Sequence, residues 1–240
     1  MRDPLLDRLA DLVGAPHVRR DRDTTRPCRT DWTGRWGGEC RAVVRPGTVE
    51  EVAAAVRACA AAGAPVVPQG GNTGLVGGAV PDAGSVVLST RRLDRIDPVD
   101  DTVGQVTAGA GVTIARVQEA ARRYGWRYPV DFGARDVATV GGSIATNAGG
   151  HHVIRHGMTR RHVVGIEAVL ADGRVVSHLG GLLKDNTGLD VGALLCGTEG
   201  TLAVVTAARL ALVPALAHRA VAHIGFPDPA AAIAAIGPLR

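Results

Sequence analysis

Aromatic residues and lysine are both scarce in this sequence. Phe, Trp and Tyr make up 3% of the 240 residues, which argues against a base-stacking surface for single-stranded nucleic acid. Lys184 is the single lysine among 27 basic residues, and the arginines are scattered without a nucleic-acid-binding motif. The net charge of +4 therefore indicates a solvated basic surface. A basic nucleic-acid-binding protein is the weakest functional hypothesis, and no nucleic-acid partner is expected.

Long apolar runs are also missing. No stretch approaches the roughly eighteen consecutive apolar residues that a membrane-spanning helix needs. The N-terminal region carries Asp3, Asp7 and Asp11 and has no apolar run, so no signal peptide is expected. These absences predict a cytoplasmic protein with no membrane span.

Cysteine and histidine lack the spacing of metal ligands. There is no CxxC pair, and the histidines follow neither HExxH nor a zinc-finger pattern. The residues concerned are Cys28, Cys40, Cys59, Cys196, His151, His152, His156 and His162. Four cysteines allow two disulfides in principle, but a chain without a secretory signal is expected to keep them reduced. No metal site is predicted.

The two commonest nucleotide-binding loops are absent. Lys184 does not stand in a GxxxxGKS or GxxxxGKT loop. The only GxG, at Gly109 to Gly111, has Ile114 where the last glycine of GxGxxG should be. A P-loop nucleotide hydrolase and a Rossmann domain for NAD are therefore both poor fits.

The sequence does contain enough apolar residues for a folded core. Hydrophobic residues make up 46% and charged residues 21%, which are ordinary values for a globular protein. The first third predicts a strand–helix–strand unit with parallel pairing, in which Thr48 and Glu51 form a capping box and Gly63 ends the helix. The predicted elements are a helix over Pro4–Val13, an irregular segment 14–39, a strand Arg41–Arg45, a helix from Thr48 to Gly63, and strands at Val66–Val67 and Val86–Ser89.

The elements predicted after residue 100 include a long loop and a hairpin. A long loop of about two dozen residues follows the helix that ends near Tyr124, and loops of that length are usually functional or disordered. The turn at Ala171 to Gly173 predicts a hairpin. The predicted elements are a strand Val103–Ala108, a helix Thr113–Tyr124, a hairpin from Val163 to Ser177, a strand Thr201–Leu212, a strand Ala220–Phe226 and a helix from Pro229.

Glycine is the abundant residue. There are 32 glycines, about twice the usual share, and many fall in clusters. Pro68 to Gly78 follows a buried strand, and its small residues allow successive backbone N–H groups to curl around an anion such as a diphosphate. Asn72 and Thr73 would add side-chain donors. The alternative for this segment alone is an ordinary surface loop.

Two further glycine-rich segments repeat this chemistry. Thr139 to Gly150 and Cys196 to Thr201 again combine bare backbone with Ser, Thr and Asn donors. Three separate segments of this kind predict one elongated ligand that is contacted at several points. Glu199 fits either a carboxylate beside a ribose or a buried cap.

The sequences of these segments resemble those of a known family. PQGGNTGLVGG, GGSIATNAGG, KDNTG and GTEGT are similar to the FAD-binding domain of the vanillyl-alcohol-oxidase (PCMH-type) superfamily, in the D-2-hydroxyglutarate and D-lactate dehydrogenase group. The resemblance runs from about Asp31 to the C-terminus. It implies an α+β fold in which two α/β subdomains hold extended FAD between them.

The resemblance also implies a domain division. Residues 1–36 would be an N-terminal helix and irregular segment, and 37–215 the FAD-binding domain, with subdomains at about 37–100 and 101–215. Residues 216–240 would begin a substrate (cap) domain that is incomplete in this chain. The exposed apolar surface of such a fragment predicts homo-oligomeric association.

The family's cofactor contacts can be carried onto matching positions. Asn72 stands where covalent members have a linking histidine, and no cysteine lies near Asp131, so the resemblance implies non-covalent FAD. The implied cofactor-binding residues are Gln69, Gly70, Gly71, Asn72, Thr73, Gly74, Leu75, Pro129, Asp131, Gly133, Ala134, Gly141, Gly142, Ser143, Thr146, Asn147, Ala148, Gly149, Gly150, Glu199, Gly200, Thr201, Val204 and Val205.

The function implied by the resemblance is oxidation of a small D-2-hydroxy acid, of the 2-hydroxyglutarate or lactate type. Hydride would pass to flavin N5, and a further electron acceptor of unknown identity would reoxidise the flavin. The family's catalytic residues fall beyond the end of this chain, so no catalytic residue is assigned. The alternative is a non-catalytic FAD-binding fragment or subunit that needs a partner chain for substrate binding.

Overall fold

A computed structural model describes residues 3–218 and 220–239 of the chain. In those residues eight α-helices and ten strands are connected by turns, short 3₁₀ helices and several longer loops. The helices are α1 Pro4–Val13, α2 Arg22–Thr25, α3 Val49–Ala61, α4 Ile114–Arg122, α5 Val140–Ala145, α6 Val153–His156, α7 Val191–Leu195 and α8 Pro229–Leu239. The strands are β1 Val18–Arg19, β2 Ala42–Val44, β3 Val66–Gln69, β4 Val86–Ser89, β5 Gln105–Gly109, β6 Trp126–Arg127, β7 Val163–Leu170, β8 Val175–His178, β9 Ala203–Ala211 and β10 Val213–Pro214.

The first sheet has the strand order β1-β2-β4-β3. Both β2 and β3 run parallel to β4, so that Val44 and Pro68 lie on either side of Leu88. Parallel pairing is thereby confirmed, but β4 lies between the two strands that flank the crossover helix. Residues 14–39, which were predicted to be irregular, contain an edge strand, because β1 pairs antiparallel with β2.

Helix α3 confirms the predicted capping signals. The Thr48 hydroxyl accepts a hydrogen bond from the Glu51 amide at 3.2 Å, and the Glu51 carboxylate accepts one from the Gly47 amide at 2.6 Å. The helix ends at Ala61, and Gly63 follows with a φ of +62°, the left-handed conformation that glycine adopts freely. One face of α3 buries Val52 completely against the core.

The second sheet is antiparallel and has the order β5-β9-β7-β8. The predicted hairpin is confirmed as β7 and β8, joined by a turn in which Gly173 has a φ of +79°. The long strand β9 lies between β5 and β7 and is buried along most of its length. The predicted long loop holds three short elements, β6, α5 and α6, which bring its glycine-rich part against the second sheet.

The strand predicted over Ala220–Phe226 is wrong. Residues 220–226 have no regular structure and are exposed, because no strand in the described residues lies alongside to accept their backbone hydrogen bonds. Helix α8 begins at Pro229 as predicted, and none of its residues is buried.

Among residues 3–218 and 220–239, no helix combines the length and the apolar character needed to cross a membrane.

Candidate functional site

The three glycine-rich segments meet in the folded chain. Residues 69–78, which we name the first loop, begin at the last residue of β3. They pack closely on the second segment, as a methyl group on Gly70 would overlap the Thr139 hydroxyl. The third segment lies against the end of β3, where a Cβ on Gly200 would be 3.0 Å from Cγ of Pro68. The prediction that these segments share one site is therefore consistent with their placement.

Helix α5 joins the second and third segments directly. Its last carbonyls are capped by the third segment, since the Gly197 amide donates to Ile144 O at 3.0 Å and the Glu199 amide to Ala145 O at 2.8 Å. The Glu199 side chain is exposed and reaches the first loop, where its carboxylate lies 2.8 Å from the position of a Cβ on Gly78. This exposure excludes the buried-cap interpretation of Glu199.

The first loop presents a row of backbone donors. Within the described part of the chain, none of the N–H groups of residues 71–75 donates a hydrogen bond. Asn72 has a φ of +53°, so successive peptide units turn in the alternating sense that makes a concave anion-binding surface. The loop therefore leaves these N–H groups open to an anion such as a diphosphate.

Backbone strain is concentrated in the three segments. Among the described residues, three non-glycine residues have a positive φ: Asn72 at +53°, Asn147 at +46° and Glu199 at +54°. Each lies in a different glycine-rich segment. Left-handed conformations at non-glycine residues are costly and tend to occur at ligand sites, where the surrounding structure maintains them.

The amide side chains of the first loop do not face outwards. Asn72 Nδ2 donates to Pro27 O at 3.0 Å and to Thr30 O at 2.8 Å, which contradicts the expectation that it serves a ligand as a side-chain donor. The buried Gln69 amide similarly donates to Cys28 O at 2.9 Å. Both side chains hold residues 27–38, which we name the N-terminal hairpin, so Gln69 and Asn72 can contact a ligand in the first loop only through other atoms.

The N–H groups at the start of the second segment already donate hydrogen bonds to acceptors within the protein. At the beginning of α5, the Val140, Gly141 and Gly142 amides donate to Val112 O, Ala110 O and Thr139 Oγ1 respectively. Gly149 and Gly150 differ, because in the described chain their N–H groups have no acceptor. The available donors of this segment therefore lie at its C-terminal end. The hydroxyl groups at its centre are bonded to backbone carbonyls of the same segment: Ser143 Oγ donates to Val140 O at 2.9 Å, and Thr146 Oγ1 to Gly142 O at 3.0 Å.

Asp131 anchors the strand-like stretch that begins at Pro129. Burial opposes ionisation of its carboxyl group, but hydrogen bonds from Arg135 at 2.9 Å and Gln118 at 3.3 Å outweigh burial and lower its pKa. Its backbone carbonyl accepts from the His151 amide at 2.8 Å, which fixes the second segment beside it. The neighbouring Gly133 and Ala134 complete the predicted contact region and are, respectively, exposed and partly buried.

An open cleft of about 230 Å³ adjoins the third segment. It lies between α3 and β3 on one side and the start of β9 on the other. Its lining includes Val56, Val66, Pro68, Gly200, Thr201 and Val204. Val204 and Val205 are both buried in β9. Successive side chains of a strand point to opposite faces, and of these two only Val204 lines the cleft.

His156 is hydrogen-bonded to Arg127, and His162 is hydrogen-bonded to the backbone of His156. His156 Nε2 lies 2.8 Å from the Arg127 guanidinium and must accept its hydrogen bond, since an arginine only donates. Burial first, and then Arg127, lower the pKa of His156. The buried His162 has Nε2 2.9 Å from His156 O, and burial lowers its pKa as well. In the described residues no group of His, Cys, Asp and Glu is arranged to hold a metal ion.

Sequence reasoning missed two features of the site. Arg91 follows β4 and donates to the carbonyls of Gly70 at 3.1 Å and Gly71 at 3.0 Å. The N-terminal hairpin packs on the first loop, where Trp36 lies against Gly77. The available signal for Arg91 was its position at the carboxyl end of a parallel strand, the edge where ligands of such sheets bind. No comparable sequence signal marks the hairpin.

Comparison with known proteins gives consistent matches. The model of a family described as an FAD binding domain matches residues 40–178. D-2-hydroxyglutarate dehydrogenase of Xanthomonas citri pv. viticola is 42% identical over 215 residues, which cover 88% of this chain and 45% of that protein. D-lactate dehydrogenase of Archaeoglobus fulgidus is 43% identical over 185 residues, covering 77% of this chain and 41% of that protein.

Two further comparisons concern location and fold. A relative from Bos taurus, 39% identical over 86% of this chain and 38% of its own length, is named a mitochondrial D-2-hydroxyglutarate dehydrogenase. A solved structure of alkyldihydroxyacetonephosphate synthase has a TM-score of 0.78 at 19% identity, covering 89% of this chain and 41% of that one. The chain thus shares the fold of the matched part of that protein and spans less than half the length of the relatives described here.

Proposed function

This chain belongs to the FAD binding domain family, and we propose that it forms the FAD-binding half of an oxidoreductase that acts on D-2-hydroxy acids of the 2-hydroxyglutarate or lactate type. The observation that carries the proposal is the row of backbone N–H groups at residues 71–75, which no acceptor in the described chain satisfies. A diphosphate supplies the acceptors that this row lacks.

The residues fit FAD at each of the three segments. The N–H groups of the first loop would hold the diphosphate, and those of Gly149 and Gly150 offer a second set of donors. The cleft beside Gly200 would offer the side chains of Val56, Val66 and Val204 for packing against a planar ring. Asn72 and the residues around Asp131 carry no covalent link, so the cofactor would be held by non-covalent contacts alone.

When bound, FAD supplies the acceptor for the hydride that leaves the substrate carbon. The described residues contribute binding and orientation, and we assign none of them a proton-transfer role. Oxidation also requires a clamp for the substrate carboxylate and a base beside its hydroxyl group. We propose that these groups correspond to parts of the longer relatives that the 240 residues do not cover.

A second candidate function is a flavin-binding subunit without activity of its own. The observation that favours it is that the chain covers 45% and 41% of the relatives described above. The two candidates share the FAD site and differ in whether this chain reduces its flavin with a hydroxy acid.

The test begins with the flavin content of the purified 240-residue chain. We expect bound FAD that acid precipitation releases completely, because no linking histidine or cysteine lies at the matching positions. Flavin fluorescence that stays with the denatured chain on a gel would contradict non-covalent binding. A purified chain that neither retains nor takes up FAD would refute the proposal as a whole.

Anaerobic mixing then separates the two candidates. We expect no bleaching of the flavin band when the FAD-loaded chain is mixed with D-2-hydroxyglutarate or D-lactate. Chemical reduction with dithionite is the control that shows the flavin to be reducible. Bleaching by a hydroxy acid at a rate compatible with turnover would place the base and the clamp within these residues.

The electron acceptor and a cytoplasmic location remain predictions from the sequence. Fractionation of the source cells, followed by detection of the chain, tests the location directly.

A further inference from the structure

Arg91 holds two successive peptide groups of the first loop. It lies in the turn directly after β4, at the same edge of the first sheet as the loop itself. Its Nε donates to Gly70 O at 3.1 Å and its Nη2 to Gly71 O at 3.0 Å. One guanidinium group therefore fixes the direction of two neighbouring carbonyls.

The geometry of the peptide bond extends this effect to the donors. In a trans peptide the C=O and N–H groups point in opposite directions, and the described chain contains no cis peptide bond. Because Arg91 holds the carbonyls of Gly70 and Gly71 on its own side, the N–H groups of Gly71 and Asn72 point away from it. These are the first two of the unsatisfied donors.

We propose that Arg91 is a positioning residue for the FAD diphosphate, which orients the first-loop N–H groups through the carbonyls behind them. This inference rests on the proposed function, since it assigns a task within the same site. It adds a residue that lies outside the glycine-rich segments and has no contact role among the residues predicted from the sequence.

The shape of the guanidinium group matters for this role. Nε and Nη2 lie on one edge of a planar fork and can reach two acceptors together, whereas a lysine ammonium offers a single point of attachment. In the described residues Arg91 has no carboxylate partner, so its charge is not neutralised by an ion pair. That charge adds to the positive potential at the edge where an anion would bind.

Arg92 provides a matched control at the next position. Its Nη1 donates to Arg45 O at 2.7 Å and lies 3.7 Å from the Glu51 carboxylate. It makes no hydrogen bond to the first loop. Arg92→Lys thus removes a guanidinium group from the same turn and keeps the charge at the same edge, without releasing the loop carbonyls.

The experiment compares FAD dissociation constants of the full 240-residue chain and three variants, Arg91→Gln, Arg91→Lys and Arg92→Lys. Quenching of flavin fluorescence measures the binding, and thermal unfolding of the FAD-free proteins measures stability. We expect the dissociation constant to rise about tenfold or more in both Arg91 variants, because two oriented hydrogen bonds from a charged group are lost. Arg92→Lys should bind FAD within about threefold of the wild type.

Stability separates positioning from a general structural role. Arg91 is exposed, so the Arg91→Lys protein should unfold within a few degrees of the wild type while its FAD affinity falls. An Arg91→Lys variant that binds FAD as well as the wild type would overturn the inference, since charge alone would then suffice. Equal losses of affinity in Arg91→Lys and Arg92→Lys would overturn it as well.

The wild-type chain distinguishes this inference from the function on which it rests. Absence of FAD binding by the wild type would refute the proposed function. Normal binding by the wild type together with normal binding by Arg91→Lys would refute only the role of Arg91.

Discussion

Gly71 is required by the packing of the first loop on its neighbour. A Cβ at this position would overlap the Val137 carbonyl oxygen and come within 3.0 Å of Cα of Ala138. Its φ is not positive, so conformational freedom does not explain the residue. Gly71 allows two backbone segments to approach each other, and the site is shaped by that approach.

Gly71→Ala should therefore disturb the site without any contact between the new methyl group and the ligand. We expect a loss of about 1–3 kcal/mol in the free energy of unfolding, measured by urea titration, because backbone cannot move aside as a side chain can. FAD retention should fall with it. Gly74→Ala is the control, since no atom lies within 4 Å of its Cβ position, and unfolding should change by less than about 0.5 kcal/mol. Equal stability of both variants would contradict the packing argument.

At the residue scale the sequence indicated the unpaired backbone donors of the first loop but not the directions of side chains. The glycine clusters indicated where backbone donors would gather, because glycine-rich composition is itself the local signal. The direction of the Asn72 amide had no such signal, since it is set by carbonyls 42 and 45 residues earlier in the chain. Arg91 was missed for the same reason, as it acts on carbonyls 20 and 21 residues away.

Among the elements, those with local signals were predicted best. Caps and stops fixed α3, and the turn at Gly173 fixed the hairpin of β7 and β8. The position of β4 between β2 and β3 could not be read from the sequence, because strand order depends on contacts between distant segments. The strand expected over Ala220–Phe226 failed because an apolar pattern makes a strand only where a partner strand exists.

Helix α8 packs against little of the described chain, and its composition is apolar on every side. Ile233, Ile236 and Leu239 are each more than half exposed. A surface of this kind favours association, so a chain shortened to residues 1–217 should be more monomeric than the full chain. Sedimentation of both chains at several concentrations measures the difference.

The shortened chain should otherwise be unchanged. We expect the same midpoint of thermal unfolding and the same FAD affinity, because no residue of α8 is buried. A marked drop in unfolding temperature would show that the C-terminal region stabilises the fold. A shortened chain that associates as strongly as the full chain would locate the contact elsewhere.

For the whole molecule, the partly buried His156 and the buried His162 predict a loss of stability in mild acid. Burial lowers the folded-state pKa values of His156 and His162 below their ordinary value of 6.5. Between the folded and unfolded pKa values the unfolded chain binds more protons, so this contribution is complete above about pH 6.5 and is lost as the pH falls. The urea midpoint should decrease between pH 7.5 and pH 5.5.

Single substitutions assign this pH dependence. His156→Gln keeps an oxygen that can accept from Arg127 but does not titrate, so its midpoint should change less with pH than that of the wild type. His218→Gln is the control, because His218 is exposed. A midpoint that is constant or rises on acidification would contradict the argument.

In both four-stranded sheets the strand made last lies between strands made earlier. β4 enters between β2 and β3, and β9 enters between β5 and β7. During synthesis, β2 and β3 therefore have no parallel partner until residues 86–89 have left the ribosome, and β5 and β7 wait for residues 203–211. The β5–β9 ladder alone joins residues about one hundred positions apart. Pairing of strands so far apart in the sequence is slow, and until it happens the unpaired strand edges are exposed to other chains. The nascent chain should consequently depend on chaperones most between completion of β7 and emergence of β9, although its first sheet is already closed.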